Sequence, residues 1–269
     1  MPGKPLMDFA GKTGLARHLE RFSMVKGVDE VCLATSKDPK NQPLIQAAED
    51  LGIRVYQGGD EDIVERFIGV GRMCGADAMV RVGCDKPLFS YELLEQSLCE
   101  YSGEDYIYFR SPLTPGLAHE ILSLSALEKT HEHYRGTAIA QYIREHPQLF
   151  SIKPLQADPI FCRPEYRLAL DIPEDYDLLK QVFEALDSEG SVVSAMDVLA
   201  FLDDNPELAL INKYFEDKNC NVYSRNLDSR PVFSVVLGDD GKYVVHDRAG
   251  KIIQYDRFVE FVDDRKKWN

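Results

Sequence analysis

The chain has 269 residues, a length that suits one large domain or two smaller ones. Hydrophobic residues make up 44%, enough for a sizeable core, yet no apolar run approaches the roughly 18 residues needed to cross a membrane, and no apolar signal-peptide core opens the sequence. Against 31 Lys and Arg stand 45 Asp and Glu, a net charge of −14; this excludes the basic surface that nucleic acid requires but leaves room for a small nucleotide in a local pocket, bringing its own metal ion.

These properties predict a cytoplasmic protein whose acidity serves solubility. The six cysteines, at 32, 74, 84, 99, 162 and 220, form no C-x-x-C pair, so the sequence gives little support to zinc or a redox pair. They read as buried free thiols in a reducing compartment. His131 and His133 in "HEH" lie two apart, a spacing that does not share a helix face.

In chain order, Leu15, Leu19 and Phe22 predict an amphipathic helix from about residue 13, capped by Thr13. "VCLAT" predicts a strand, and "QPLIQAAEDLG" a helix that Gly52 stops. "IRVYQG" predicts a second strand. In "DEDIVERFIGVGRMCG" Ile63, Phe67 and Val70 form one helical stripe. "AMVRVG" predicts a third strand, and Ser90 caps the helix "SYELLEQSLCEY". "DYIYFR" and "HEILSLS" read as strands, and "TAIAQYIREHP" as a helix stopped by Pro147. "YRLALD" reads as another strand. Pro173 and acidic residues then open the helix "PEDYDLLKQVFEAL", and Ser194 begins the helix that follows.

This alternation predicts right-handed crossovers and a mostly parallel α/β sheet flanked by helices over residues 1–211. No strand precedes the first helix, so the sheet reads as one strand short. Past residue 211 the apolar runs are divided by "DDG" and "RAG" turns, which predicts a separate β-rich extension over 212–269, a hairpin or small meander.

Ligands of open α/β sheets bind beyond the carboxyl ends of the strands. Asp85 in "RVGCDKPL" and Asp171 in "RLALDIPED" both fall there. Two such carboxylates can converge on Mg²⁺, or each can serve as a turn or cap aspartate. Gly3 and Lys4 offer close backbone approach to a phosphate and a mobile charge, although neither "PGK" nor "GKT" completes a Walker A loop. Asp60-x-Asp62 matches the metal motif of glycosyltransferases, but acids at a helix N-terminus explain it more simply.

Seven stretches occur together in order: "PGKPLMDFAGKT", "DEVCLATS", "GGDEDIVERF", "GADAMVRVGCDKPL", "PGLAHEILSLSAL", "YRLALDIPEDYDLL" and "DVLAFLDDNPEL". This series resembles the CMP-sugar cytidylyltransferases of the acylneuraminate and KDO group, and within it the SpsF-like branch of spore coat polysaccharide biosynthesis. The resemblance implies a Rossmann-like nucleotidyltransferase that transfers CMP from CTP to a sugar or sugar acid and releases pyrophosphate. It makes Asp85 and Asp171 the Mg²⁺ carboxylates and puts Gly3 and Lys4 beside the triphosphate, with Lys4 stabilising the leaving group. It places Thr35 and Arg66 near the nucleotide and Glu120 on the sugar side, and it allows a homodimer.

The family opens with a strand and a loop like Q-A-R-x-x-S-x-R-[LM]-P-G-K, and Met1 aligns just before P-G-K. The resemblance therefore predicts either a start placed at an internal methionine or a paralogue that has lost its triphosphate loop. The first is preferred, because losing a central strand would expose its neighbours' backbone groups. Without the two arginines the chain is expected to be weak or inactive. Cys84 stands where the family has a small residue, often Gly. A glycosyltransferase using Asp60 and Asp62, or a non-catalytic binding paralogue, are the competing expectations.

Overall fold

The computed structural model describes residues 3–188 and 191–212 and, beyond them, the backbone of four strands. The chain divides into two compact units, Met1–Ile211 and Asn212–Asn269. In the first unit a 3₁₀ turn, Lys4–Leu6, leads into a two-residue hairpin of β1 (Asp8–Phe9) and β2 (Lys12–Thr13). Then follow α1 (Gly14–Ser23), β3 (Cys32–Ser36), α2 (Gln42–Asp50), β4 (Arg54–Gly58), α3 (Ile63–Cys74), β5 (Ala78–Arg81) and α4 (Tyr91–Glu100). The middle holds β6 (Tyr106–Phe109), β7 (Glu120–Ser123), α5 (Leu124–His133), α6 (Ile139–Glu145) and β8 (Ile152–Leu155). The unit closes with α7 (Pro173–Leu186) and α8 (Ala195–Asp204).

Local chemistry sets most boundaries. The hydroxyls of Thr13, Ser90 and Ser194 accept from the amides of Ala16, Leu93 and Asp197, satisfying otherwise orphaned N–H groups. Gly75 ends α3 in the left-handed region at φ 66°, a conformation that costs glycine nothing.

Apart from the β1–β2 hairpin, the strands of this unit form two sheets. β3 and β4 pair in parallel. The other sheet has the order β5-β7-β6-β8; β6 and β8 are parallel, while β7 is antiparallel to both neighbours. The architecture is α/β with a mixed sheet, the parallel character residing in the β3–β4 and β6–β8 pairs. Among the described residues the two sheets are separate, and only the two-residue strands β1 and β2 precede α1.

Helices join what the ladders do not. In α1, Leu15 packs with Leu33 of β3, while the buried Arg21 donates to the Phe89 and Val193 carbonyls, each at 2.6 Å. α3 packs against β3, β4 and α5. Its fully buried positions are therefore Val64, Ile68 and Gly71, one step round from the expected Ile63–Phe67–Val70 stripe, because both flanks of the helix are covered.

The largest core lies under α7 and α8, where Leu88, Leu117, Leu168, Leu178 and Leu179 are wholly buried. Each contributes about 1.5–3 kcal/mol relative to exposure.

One expected strand is absent. Residues 166–171, "YRLALD", join no ladder. Their alternate amides, from Leu168 and Leu170, donate to the carbonyls of Pro115 and Asp85, each at 2.7 Å. The partner is a pair of loops, and isolated bonds to loops satisfy the amides without building a sheet. α5 and β8 are elements that the sequence pattern does not announce.

In the second unit β9 (Val222–Arg225), β10 (Pro231–Leu237), β11 (Tyr243–Asp247) and β12 (Ile252–Tyr255) pair antiparallel, each with its neighbour in sequence. Val235 of β10 faces Val245 of β11 in register, and Val245 faces Ile253 of β12.

Candidate functional site

The site follows from strand direction. β3, β4 and β5 end at their carboxyl edges with Ser36, Gly58 and Arg81. Because β7 is antiparallel to β5, with Arg81 opposite Glu120, β7 begins at the edge where β5 ends. Thr35, Asp85 and Glu120 therefore stand at the carboxyl edges of the two sheets, the position from which open α/β sheets present ligands.

Thr35 is 6% exposed, opposite Gln57 in the β3–β4 register. Arg66, from the first turns of α3, lies across Gly58, where a Cβ would overlap its Cγ atom. Its Nη2 donates weakly to the Asp60 carbonyl at 3.4 Å, and its buried Nε has no hydrogen-bond partner among the described residues. A half-buried guanidinium with an idle N–H at this edge suits an incoming anion.

Asp85 follows β5 by four residues. Its side chain folds back over Gly83, with Oδ1 in the space a Cβ there would take. Its carbonyl accepts the Leu170 amide, which stitches the Asp85 loop to the segment carrying Asp171. The sequence thus brings two carboxylate-bearing turns, 86 residues apart, to neighbouring backbone positions.

Lys4 Nζ donates to Asp171 Oδ1 at 2.6 Å, and Arg167 donates to the other oxygen. Burial pushes the Asp171 carboxyl up, but hydrogen bonds and charge from Lys4 and Arg167 outweigh it and hold the group below the usual carboxylate range. The backbone beneath is fixed by Asp175, which is fully buried. Its Oδ2 accepts the Asp171 amide at 2.8 Å and the Ile172 amide at 3.1 Å, while Oδ1 accepts from Arg167 Nε at 3.2 Å. This is half a capping box: Asp175 reaches back to the start of α7, where Ile172 has no side-chain acceptor to reciprocate. Gly3 precedes Lys4 at φ 71°, a left-handed position open on its side-chain face.

Glu120 sits between two donors, Arg81 Nη1 at 2.7 Å and the Tyr106 hydroxyl at 2.8 Å. Arg144 Nη1 donates to the same hydroxyl at 3.0 Å, and its guanidinium lies 5.5 Å from the Tyr108 ring centre. The result is a fixed carboxylate within a basic and aromatic wall, able to accept hydroxyls of a polar ligand.

The structure joins Lys4 to Asp171 by an ion pair and Asp171 to Asp85 through the backbone. It places Thr35 and Arg66 at the β3–β4 edge and Glu120 at the β5–β7 edge. The donor set at Asp85 and Asp171 is hard carboxylate oxygen, partly open to solvent, the set that Mg²⁺ takes together with water and substrate phosphates. Asp62, by contrast, is committed: it caps α3 through the Glu65 amide and pairs with His131 Nε2 at 2.8 Å. Sequence reasoning missed Arg167, Asp175, Arg81, Tyr106 and Arg144. Only Arg167 left a signal, four residues before Asp171 and eight before Asp175.

The cytidylyltransferase family profile matches residues 1–226. The Methanocaldococcus jannaschii protein MJ1063 is 27% identical over 81% of this chain and 91% of its own length. The spore coat polysaccharide biosynthesis protein SpsF of Bacillus subtilis is 29% identical over 68% of this chain and 79% of its own. A solved cytidylyltransferase from Leptospira borgpetersenii shares the fold at a TM-score of 0.73 and 24% identity, covering 81% of this chain and 93% of that one. On the match across its first 226 residues, the chain belongs to the cytidylyltransferase family of nucleotidyltransferases.

Proposed function

We propose that the protein transfers CMP from CTP to the hydroxyl of a sugar or sugar acid, releasing pyrophosphate, in surface polysaccharide or glycan biosynthesis. Membership of the cytidylyltransferase family supports the nucleotide, and similarity to SpsF supports the polysaccharide setting. The observation that carries the reading is the Lys4–Asp171 pair, stitched through Leu170 to Asp85 at the carboxyl edge of β5. A cytoplasmic location follows from it, since CTP is a cytoplasmic nucleotide.

Asp85 and Asp171 would hold Mg²⁺, which supplies charge neutralisation at the transferring phosphoryl group and the leaving pyrophosphate. Lys4 turns from Asp171 towards the leaving oxygens and stabilises the charge that develops there. Arg66 offers its idle Nε–H to the nucleotide, with Thr35 at the same β3–β4 edge. Glu120, held by Arg81 and Tyr106, accepts from sugar hydroxyls and orients the attacking oxygen for in-line displacement.

The test is pyrophosphate release from CTP with Mg²⁺, run against a panel of nonulosonic acids, other sugar acids and neutral sugars. UDP- and GDP-sugars serve as competing donors. Turnover with CTP is expected to be lost in Asp85→Ala and Asp171→Ala with folding retained. Normal turnover in either variant overturns the carboxylate assignment. Failure of CTP to bind, with or without an acceptor, makes the protein a non-catalytic relative. Binding of a UDP- or GDP-sugar instead would make it a glycosyltransferase.

A further inference from the structure

Far along the chain from one another, Cys32 opens β3 and Cys74 closes α3, and the fold brings their Sγ atoms within 3.1 Å. Glu30 joins them: one carboxylate oxygen and the two sulfurs all lie within 4.8 Å of one another. Both cysteines are half-buried, while Glu30 is exposed, so the cluster has a dry inner side and an open outer side. Arg54, which opens β4, donates from Nη1 to both Glu30 oxygens at 3.0 and 3.2 Å, and from Nη2 to the Met73 carbonyl at 3.0 Å. The loop before β3, the start of β4 and the end of α3 thus meet at one point.

We infer that Glu30, Cys32 and Cys74 form a binding site for a thiophilic divalent cation, zinc, separate from the carboxylates of the proposed reaction. Two sulfurs and one carboxylate oxygen suit zinc, which accepts both donor types, and do not suit magnesium, which takes oxygen alone. The charges also balance. Two thiolates and a carboxylate around a divalent ion leave one negative charge, and the Arg54 guanidinium already sits against the cluster to cancel it. Binding breaks two S–H bonds, releases two protons to solvent and forms two S–Zn bonds and one O–Zn bond, with no change of oxidation state. Zinc holds sulfur at about 2.3 Å in tetrahedral geometry, so the pair opens slightly to admit the ion, and the fourth position faces solvent through exposed Glu30.

The site lies at the opposite end of β3 and β4 from Thr35 and Gly58. Its effect is mechanical: it ties the start of β3 to the end of α3, the helix that carries Arg66 at its other end. The inference stands whatever the protein's reaction proves to be.

The experiment uses the full chain, reduced and stripped with a chelator, then titrated with Co²⁺. The expected result is a near-ultraviolet thiolate-to-cobalt charge-transfer band that saturates at one equivalent and is bleached by Zn²⁺. In parallel, Zn²⁺ should protect Cys32 and Cys74 from alkylation in the wild-type chain, mapped by peptide mass spectrometry, while exposed Cys99 stays reactive. Cys32→Ser and Cys74→Ser should each abolish the band, Glu30→Gln should weaken binding about ten-fold or more, and Cys99→Ser should change nothing. The mapping decides the matter even where a serine variant fails to fold. The inference is overturned by absence of the band in reduced protein, by protection of other cysteines, or by a Cys32–Cys74 disulfide that persists under reduction.

Discussion

Asp175 makes the sharpest test of how the site is built. It is fully buried, and its carboxylate holds the amides of Asp171 and Ile172 together with Arg167 Nε. Asp175→Ala removes an acceptor at the start of α7, worth about 1 kcal/mol, and strips half-buried donors of this acceptor, at about 1–3 kcal/mol. Arg167 is 27% exposed, so water rescues part of its charge and the ion pair adds little beyond this. The total is about 3 kcal/mol, a fall in Tm of ~6–12 °C for a unit of this size. Asp175→Asn keeps one carbonyl oxygen for the two amides but turns an NH₂ towards Arg167, so it should lose less. Differential scanning calorimetry and urea unfolding on wild type and both variants provide the measurement. Turnover in Asp175→Ala should fall more than its folded fraction explains, because the backbone under Asp171 is released. A loss below about 1 kcal/mol in the alanine variant, or an asparagine variant worse than the alanine, would refute the reasoning.

Three further outcomes follow from the same geometry. Lys4→Met removes the cation from a partly exposed pair, so Tm should move by no more than ~2–4 °C while kcat drops about ten-fold or more; unchanged kcat would remove Lys4 from the reaction. Gly116 sits at φ 103° with its side-chain face against the backbone of Leu168, so Gly116→Ala combines strain with a clash that cannot relax. It should cost about 2–4 kcal/mol in urea unfolding and displace the segment that carries Asp171. Hydrogen bonds from the buried Arg17 guanidinium, at 2.8 and 2.9 Å, hold the Asp187 carboxyl below its usual range. The unfolded value is about 3.9, so this stabilisation is complete above that pH and is lost as pH falls through the depressed folded value. Asp187→Asn should therefore lower Tm at neutral pH, and its gap to wild type should narrow once pH falls below about 3.9; a gap independent of pH would count against the pair.

Much of the site is legible in the sequence because the turns that carry it are marked locally. Asp85 follows a strand and precedes a helix signal, and that is enough to put it beyond a sheet edge; Asp171 follows an apolar run that joins no ladder and reaches Asp85 only through the Leu170 amide. Lys4 is legible only through the motif around it. The supporting groups were not legible. Arg81, Tyr106 and Arg144 meet Glu120 from three separate elements, and no spacing along the chain encodes that meeting. Asp175 reads as an acidic residue in a first helical turn, which hides its burial and its hold on Asp171.

What the sequence determined by itself is whatever depends on near neighbours. Thr13, Ser90 and Ser194 cap helices whose donor amides lie three residues away, and Gly75 ends α3 with its own backbone freedom. The α/β alternation follows from such local signals. Tertiary structure alone decided the rest, because strand pairing and side-chain convergence depend on partners far along the chain. "YRLALD" has the composition of a strand, but its amides meet the carbonyls of two loops and no ladder forms. β7 runs antiparallel because it returns to pair with β5, 39 residues earlier at the Arg81–Glu120 contact. Cys32 and Cys74 match no spacing motif, and they become neighbours only when β3 and α3 pack together.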